Sequence, residues 1–165
     1  MTAQIGEELH YEGRVVTMYS EPLGDYFVLG GARPEFDFNC TALWRGYVGT
    51  WEIREGRLYL VRLSGTLKDG GHANLATIFP GFPERVFAHW YTGALRIPEG
   101  KMIEYIHMGY ASTYERDLMI QIEKGVVTGT HVRNNGTSEN SSAPEGYGIG
   151  AMTVFPRKRP DTDGE

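Results

Sequence analysis

Three tetrapeptides of one form, IREG (53–56), IPEG (97–100) and IEKG (122–125), constrain this chain more than any other feature. In each, an isoleucine stands three residues before a glycine, and a hydrophobic stretch resumes soon after. The first two lie inside longer matching stretches, GTWEIREGRL (49–58) and GALRIPEGKM (93–102). Read physically, this is hairpin chemistry. The Ile closes one strand, the next two residues make a type I turn, and the Gly takes the left-handed conformation of a G1 bulge. Pro98 suits the first central position through its fixed φ. Glycine avoids the roughly 1 kcal/mol or more that a Cβ would cost in a left-handed backbone. HYEGRV (10–15) is a looser fourth case. The turn glycines Gly56, Gly100 and Gly125 are spaced by 44 and 25 residues and share no period. The pattern is therefore repeated scaffolding, not a solenoid repeat or a duplicated site.

Turns of this kind need strands between them. With 22 Gly, 10 Tyr, 7 Phe and 3 Trp, the chain alternates short β-branched and aromatic runs with Gly-containing breaks, the pattern of an all-β domain. Strands are expected near 7–12, 14–19, 42–54, 57–67, 86–97, 101–110, 117–123, 126–132 and 147–155. At most one short helix is expected, near 73–79, before Pro80 and Pro83 interrupt it. Leu43, Tyr47, Trp51 and Ile53 share one parity, while Leu58–Leu63 is apolar on both. A strand covered on both sides belongs in the middle of its assembly. The expected architecture is an antiparallel sandwich or a partly closed barrel of consecutive hairpins. The β domain is expected over 1–132, with a flexible polar loop at 133–146 (RNNGTSENSSAPEG). A final edge strand of the same domain is expected at 147–155, and a disordered tail at 156–165.

Bulk properties narrow the function classes. A length of 165 residues fits one domain, and 41% hydrophobic residues suffice for an ordinary core. A net charge of −5 argues against a nucleic-acid partner, which requires a positive surface. No stretch approaches the ~20 apolar residues that cross a bilayer, so no membrane partner is expected. The N-terminal MTAQIGEELHYEGR carries no signal-peptide run, and the single Cys40 cannot form an intrachain disulfide. A cytoplasmic location follows as the expectation, with Cys40 read as a small core thiol.

Motifs for chemistry are sparse. His10, His72, His89, His107 and His131 lack the close spacing of a zinc site, and no cofactor or metal is expected. GYGIG (146–150) leads into neither a helix nor a lysine and is not a phosphate loop. If 86–97 and 101–110 formed a hairpin, His89 and His107 would near each other, and with carboxylates they would make a small acid–base site. The richest polar-aromatic stretch is HMGYASTYERD (107–117), which offers His107, Tyr110, Tyr114 and Glu115 at a connection between strands. Amphipathic tyrosines on loops of a rigid scaffold suit recognition. His72 in LKDGGHAN (67–74), and Phe36 and Asp37 in ARPEFDFN (32–39), are expected beside it. Glu35 and Asp37 alternate with Phe36 and Phe38, so these carboxylates would share one face.

YVGTWEI (47–53) resembles the Gly-x-Trp signature of the calycins, the lipocalin and fatty-acid-binding barrels. That resemblance implies a barrel whose Trp51 closes the base over a cavity for an apolar ligand. Three functions are thus in view. The first is a non-catalytic, inhibitor- or immunity-like protein binding another protein through the Tyr-rich loop face. The second is a barrel for a small apolar ligand. The third is an enzyme using His89 and His107.

Overall fold

Hairpins organise the chain, but by a tighter turn than the tetrapeptides suggest. The computed structural model describes residues 2–38 and 40–136, so the strand expected at 147–155 and the tail at 156–165 lie outside the described residues. The elements in order are β1 (Glu7–Tyr11), β2 (Arg14–Met18), α1 (Pro22–Val28), β3 (Tyr47–Arg54), β4 (Arg57–Thr66) and β5 (His72–Ala73). There follow α2 (Leu75–Ile78), β6 (Val86–Phe87), β7 (Gly93–Glu104), β8 (Thr113–Glu123) and β9 (Val126–Asn134). The pairs Tyr11↔Arg14, Arg54↔Arg57 and Glu123↔Val126 leave two-residue loops. Both loop residues have positive φ each time: Glu12 and Gly13 at 50° and 76°, Glu55 and Gly56 at 53° and 73°, Lys124 and Gly125 at 48° and 82°. That is the type I′ turn, whose twist matches the strands it joins. It replaces the expected type I turn with a G1 bulge.

IPEG does not reverse the chain at all. Residues 93–104 form the single strand β7, so the expected break between 97 and 101 is absent. Between Glu99↔Arg116 and Met102↔Tyr114, β7 advances three residues against two on β8. Gly100, at φ 79°, sits in this β-bulge, where a left-handed residue accommodates the extra length. Pro98 is tolerated because β7 ends the sheet order and an edge strand can spare an N–H.

The strands form one mixed sheet in the order β2-β1-β3-β4-β9-β8-β7, with β5 and β6 also pairing with β4. Neighbours are antiparallel except β1 and β3, which run parallel through Glu8↔Thr50 and Leu9↔Trp51. Two of the recurrent turns interlock to join the halves. The Val127 N–H donates to the Gly56 carbonyl, and the Leu58 N–H donates to the Gly125 carbonyl, both at 2.8 Å. The far edges curl toward each other without closing: Tyr19 N–H donates to Arg96 O at 2.7 Å, and Arg96 N–H donates to Ser20 Oγ at 3.0 Å.

One face of the sheet carries the core. Leu9, Trp51, Leu58, Leu60, Leu95 and Ile120 are fully buried there, each worth roughly 1.5–3 kcal/mol against exposure. The interior is filled by side chains, and α1 adds Leu23, held in place by Trp90 Nε1–H donating to Pro22 O at 2.8 Å. α1 was not expected, because PLGDYFV is short, contains Gly24 and is as aromatic as a strand. Pro22 in its first turn starts it. α2 occupies the expected helical region, where Asn74 Oδ1 accepts from Thr77 N–H and Thr77 Oγ1 accepts from Asn74 N–H. No helix among the described residues is long and apolar enough to cross a membrane.

Candidate functional site

The residues alternating with the core row face the other side of the sheet. Beside Leu9↔Trp51 stand Glu8, Thr50 and Arg62, one row across β1, β3 and β4. Thr50 Oγ1–H donates to Glu8 Oε2 at 3.3 Å, and Arg62 Nη2 lies 3.7 Å from the same oxygen. This row, with Thr17, Val48 and Ser64, floors a half-open cleft of about 910 Å³.

Two irregular segments wall the cleft. Residues 2–6 lace across the fold: Gln4 N–H donates to Gly109 O (2.9 Å), Ile5 N–H to Ala42 O (2.8 Å), and Trp44 N–H to Gln4 Oε1 (2.7 Å). The opposite wall is the β7–β8 connection, with Tyr105, His107 and Tyr110. Arg96 rivets it in place. Its Nη1 and Nη2 donate to Tyr110 O and Ser112 O (2.6 and 2.8 Å), and its Nε donates to Asp117 Oδ1 (2.9 Å). Tyr19 stacks on Tyr110 at 4.7 Å between centroids and lies under the Arg96 guanidinium. Tyr110 OH donates to Ile5 O at 3.2 Å, tying the two walls together. Burial raises the Tyr110 hydroxyl well above its ordinary value, so it stays protonated and donating at neutral pH.

Below the cleft lies a buried acid. Glu7 shares the core face and is fully shielded, paired with Arg45 at 3.2 Å and accepting from the Gly49 N–H. Burial drives its pKa up to about 7 against the opposing pull of Arg45 and the Gly49 amide. A Cβ on Gly49 would lie 2.8 Å from Trp51 Nε1 and 3.1 Å from Glu7 Oε1. The Gly-x-Trp stretch thus brings the indole edge and this carboxyl over one glycine. Trp51 lies within the core cluster, and the sheet around it does not close into the barrel that the calycin resemblance implies.

The structure divides the residues singled out in the sequence. His107 and Tyr110 line the cleft, and His107 Nδ1 lies 2.7 Å from Tyr105 OH. Tyr114 is wholly buried, with its OH 3.1 Å from Tyr19 OH, so it offers no contact surface. Glu115 sits on β8 beside Arg116 at 3.6 Å and does not line the cleft. Phe36, Asp37 and His72 gather instead at the end of β4. There Phe36 is 7% exposed and packs on Tyr47, Asp37 N–H donates to Thr66 O, and exposed His72 pairs with Thr66. Phe36 therefore belongs to the core, while Glu35 and Asp37 face solvent.

His89 and His107 do not meet. They flank the two ends of β7, a 12-residue strand that spans roughly 35–40 Å at the usual rise per residue. No group of three or more metal-ligating side chains occurs among the described residues. Cys40, expected in the core, is exposed at the cleft. Sequence reasoning missed Gln4, Glu8, Thr50 and Arg62. The signal was there as polar positions of period two, but choosing them requires the register between strands. The fold and site define an open, mixed β-sheet protein with a preformed cleft on its outer face. Compared with protein families, curated proteins and solved structures, the chain matches none.

Proposed function

We propose that this is a non-catalytic binding protein whose site is the outer-face cleft, and that its ligand is a small amphipathic organic molecule. The observation that carries this reading is the cleft itself, about 910 Å³, within the few hundred to ~1,000 Å³ of small-molecule sites. Apolar surface from Ile5, Val48 and Met102 lines the cleft beside the polar row Glu8, Thr50 and Arg62, which fits an apolar body with a polar end. Glu7, whose pKa burial raises to about 7, has no exposed surface from which to act on a substrate.

The test uses 1-anilinonaphthalene-8-sulfonate, an amphipathic fluorophore excited directly. Saturable enhancement is expected with the wild type and its loss with Ser64→Trp, which puts an indole on the floor at an exposed position. Enhancement that is absent, or unchanged in Ser64→Trp, overturns the reading. A second reading is a macromolecular partner, and it draws support from the stacked pair Phe38 and Trp44 (4.6 Å). These rings are 45% and 55% exposed and flank Cys40, Thr41 and Ala42, which line the cleft. Trp44→Ala would weaken that partnership while leaving dye binding intact.

A further inference from the structure

The core face does not end where its cover ends. The cross-strand row Ile97–Leu118–Val132 runs from β7 through β8 to β9. Ile97 is 1% exposed, Leu118 is half-buried and Val132 is 49% exposed. β9 meets β4 only at Arg57↔Val126. Beyond Val127, it has no strand partner among the described residues except β8. Its last seven residues carry no proline or lysine, and its one register shift leaves Thr128 as an extra residue between Ile122↔Val127 and Gln121↔Gly129. From Gly129 to Asn134 the pairing with β8 is regular, and the bulge at Thr128 and the charge of Arg133 are what this stretch sets against strand addition.

The edge is also complementary to itself. If two β9 strands pair antiparallel about a two-fold axis through His131, Thr130 lies opposite Val132 of the second copy, and Arg133 lies opposite its Gly129. The first pairing sets β-branched residues side by side on the core face, which favours strand association. The second gives the long Arg133 side chain a neighbour with no side chain, and a Cβ at Gly129 would meet nothing within 4 Å. No like-charged Lys, Arg, Asp or Glu side chains oppose each other in this register, and the axial residue His131 faces its own copy. We propose that the β9 edge is a homodimer interface in which two copies join their sheets through this register. A seven-residue edge with little flanking surface falls short of the ~1,200 Å² of a stable interface, so the dimer is weak and concentration-dependent.

Gly129 permits a test specific to this register, since its φ is not left-handed and its surroundings are open. Sedimentation velocity on the full chain is expected to show monomer passing to dimer as concentration rises through the micromolar range. Gly129→Arg, which would oppose Arg133 twice in each dimer, is expected to weaken association roughly tenfold, and Gly129→Glu to strengthen it several-fold. Both variants should unfold near the wild-type temperature. A strictly monomeric wild type overturns the proposal. Amide exchange would then show whether residues 137–165 protect Val127–Asn134 or nothing does. A dimer indifferent to the charge at 129 also overturns it, because another surface must then be responsible.

Discussion

Arg45 holds Glu7 at 3.2 Å in a pair almost withdrawn from water, with side-chain exposures of 7% and 0%. The pair does not fully compensate for burial, since the Glu7 pKa stands at about 7 against an ordinary 4.5. A raised carboxyl pKa means that the folded protein binds the proton more tightly than the unfolded chain. Folding stability should therefore increase as pH falls from about 8 toward 5, by on the order of 3 kcal/mol from this group. Urea unfolding at pH 8 and pH 5 measures it. Glu7→Gln should flatten the slope between those values, and a slope unchanged in that variant would remove Glu7 as its source.

The recurrent turn glycines look alike in sequence but should differ in tolerance. Gly56, at φ 73°, has nothing within 4 Å of where a Cβ would stand, so Gly56→Ala costs only the left-handed strain of about 1 kcal/mol. Gly125, at φ 82°, would place a Cβ 2.7 Å from Ala88 O and 2.8 Å from the Phe87 ring. Gly125→Ala should cost at least twice as much, because the obstruction includes backbone. Chemical denaturation midpoints of the two variants give the ranking directly, and equal losses would contradict it.

The same glycines show how much was legible from the sequence. Glycine after a charged residue between apolar runs marks a place where φ turns positive, and Gly56, Gly100 and Gly125 all do so. The course of the chain beyond that place depends on partners far along it. IEKG reverses because β9 returns along β8, whereas IPEG continues because β8 accepts a bulge opposite Gly100. Merging 93–104 into one strand separated His89 from His107. The cleft was legible only in part. Tyr110 and His107 stand out locally as polar-aromatic loop residues, but Glu8, Thr50 and Arg62 become neighbours only through one parallel and one antiparallel register. Short-range pattern cannot specify such pairings.

The charges on the cleft floor should tune dye binding in opposite directions. Arg62 is 67% exposed and Glu8 36% exposed in their 3.7 Å pair, so each interaction is worth well under ~1 kcal/mol. Glu8→Gln should tighten 1-anilinonaphthalene-8-sulfonate binding, and Arg62→Ala should loosen it, by a few-fold each and less at high salt. A fluorescence titration at two salt concentrations checks both signs. Identical shifts from both substitutions would place the dye elsewhere.

Asp117 gives the acid side of the stability profile and has the opposite sign to Glu7. Its carboxylate receives Arg96 Nε at 2.9 Å, Arg133 Nη2 at 2.6 Å and Asn135 Nδ2 at 3.0 Å. These donors hold its pKa below the ordinary 3.8 even though burial pushes it up. The stability it contributes is fully present above the unfolded value and is lost as pH falls through the lower folded value. Asp117→Asn removes the charge while nearly keeping the shape, and should cost about 2 kcal/mol. Arg96 also clamps Tyr110 O and Ser112 O, so the damage should spread to the cleft wall. Amide exchange in Asp117→Asn is therefore expected to quicken across 105–112 while the turn amides of Leu58 and Val127 stay protected. Uniform acceleration along the chain would instead make Asp117 a contributor to global stability alone, without a separate role in shaping the cleft.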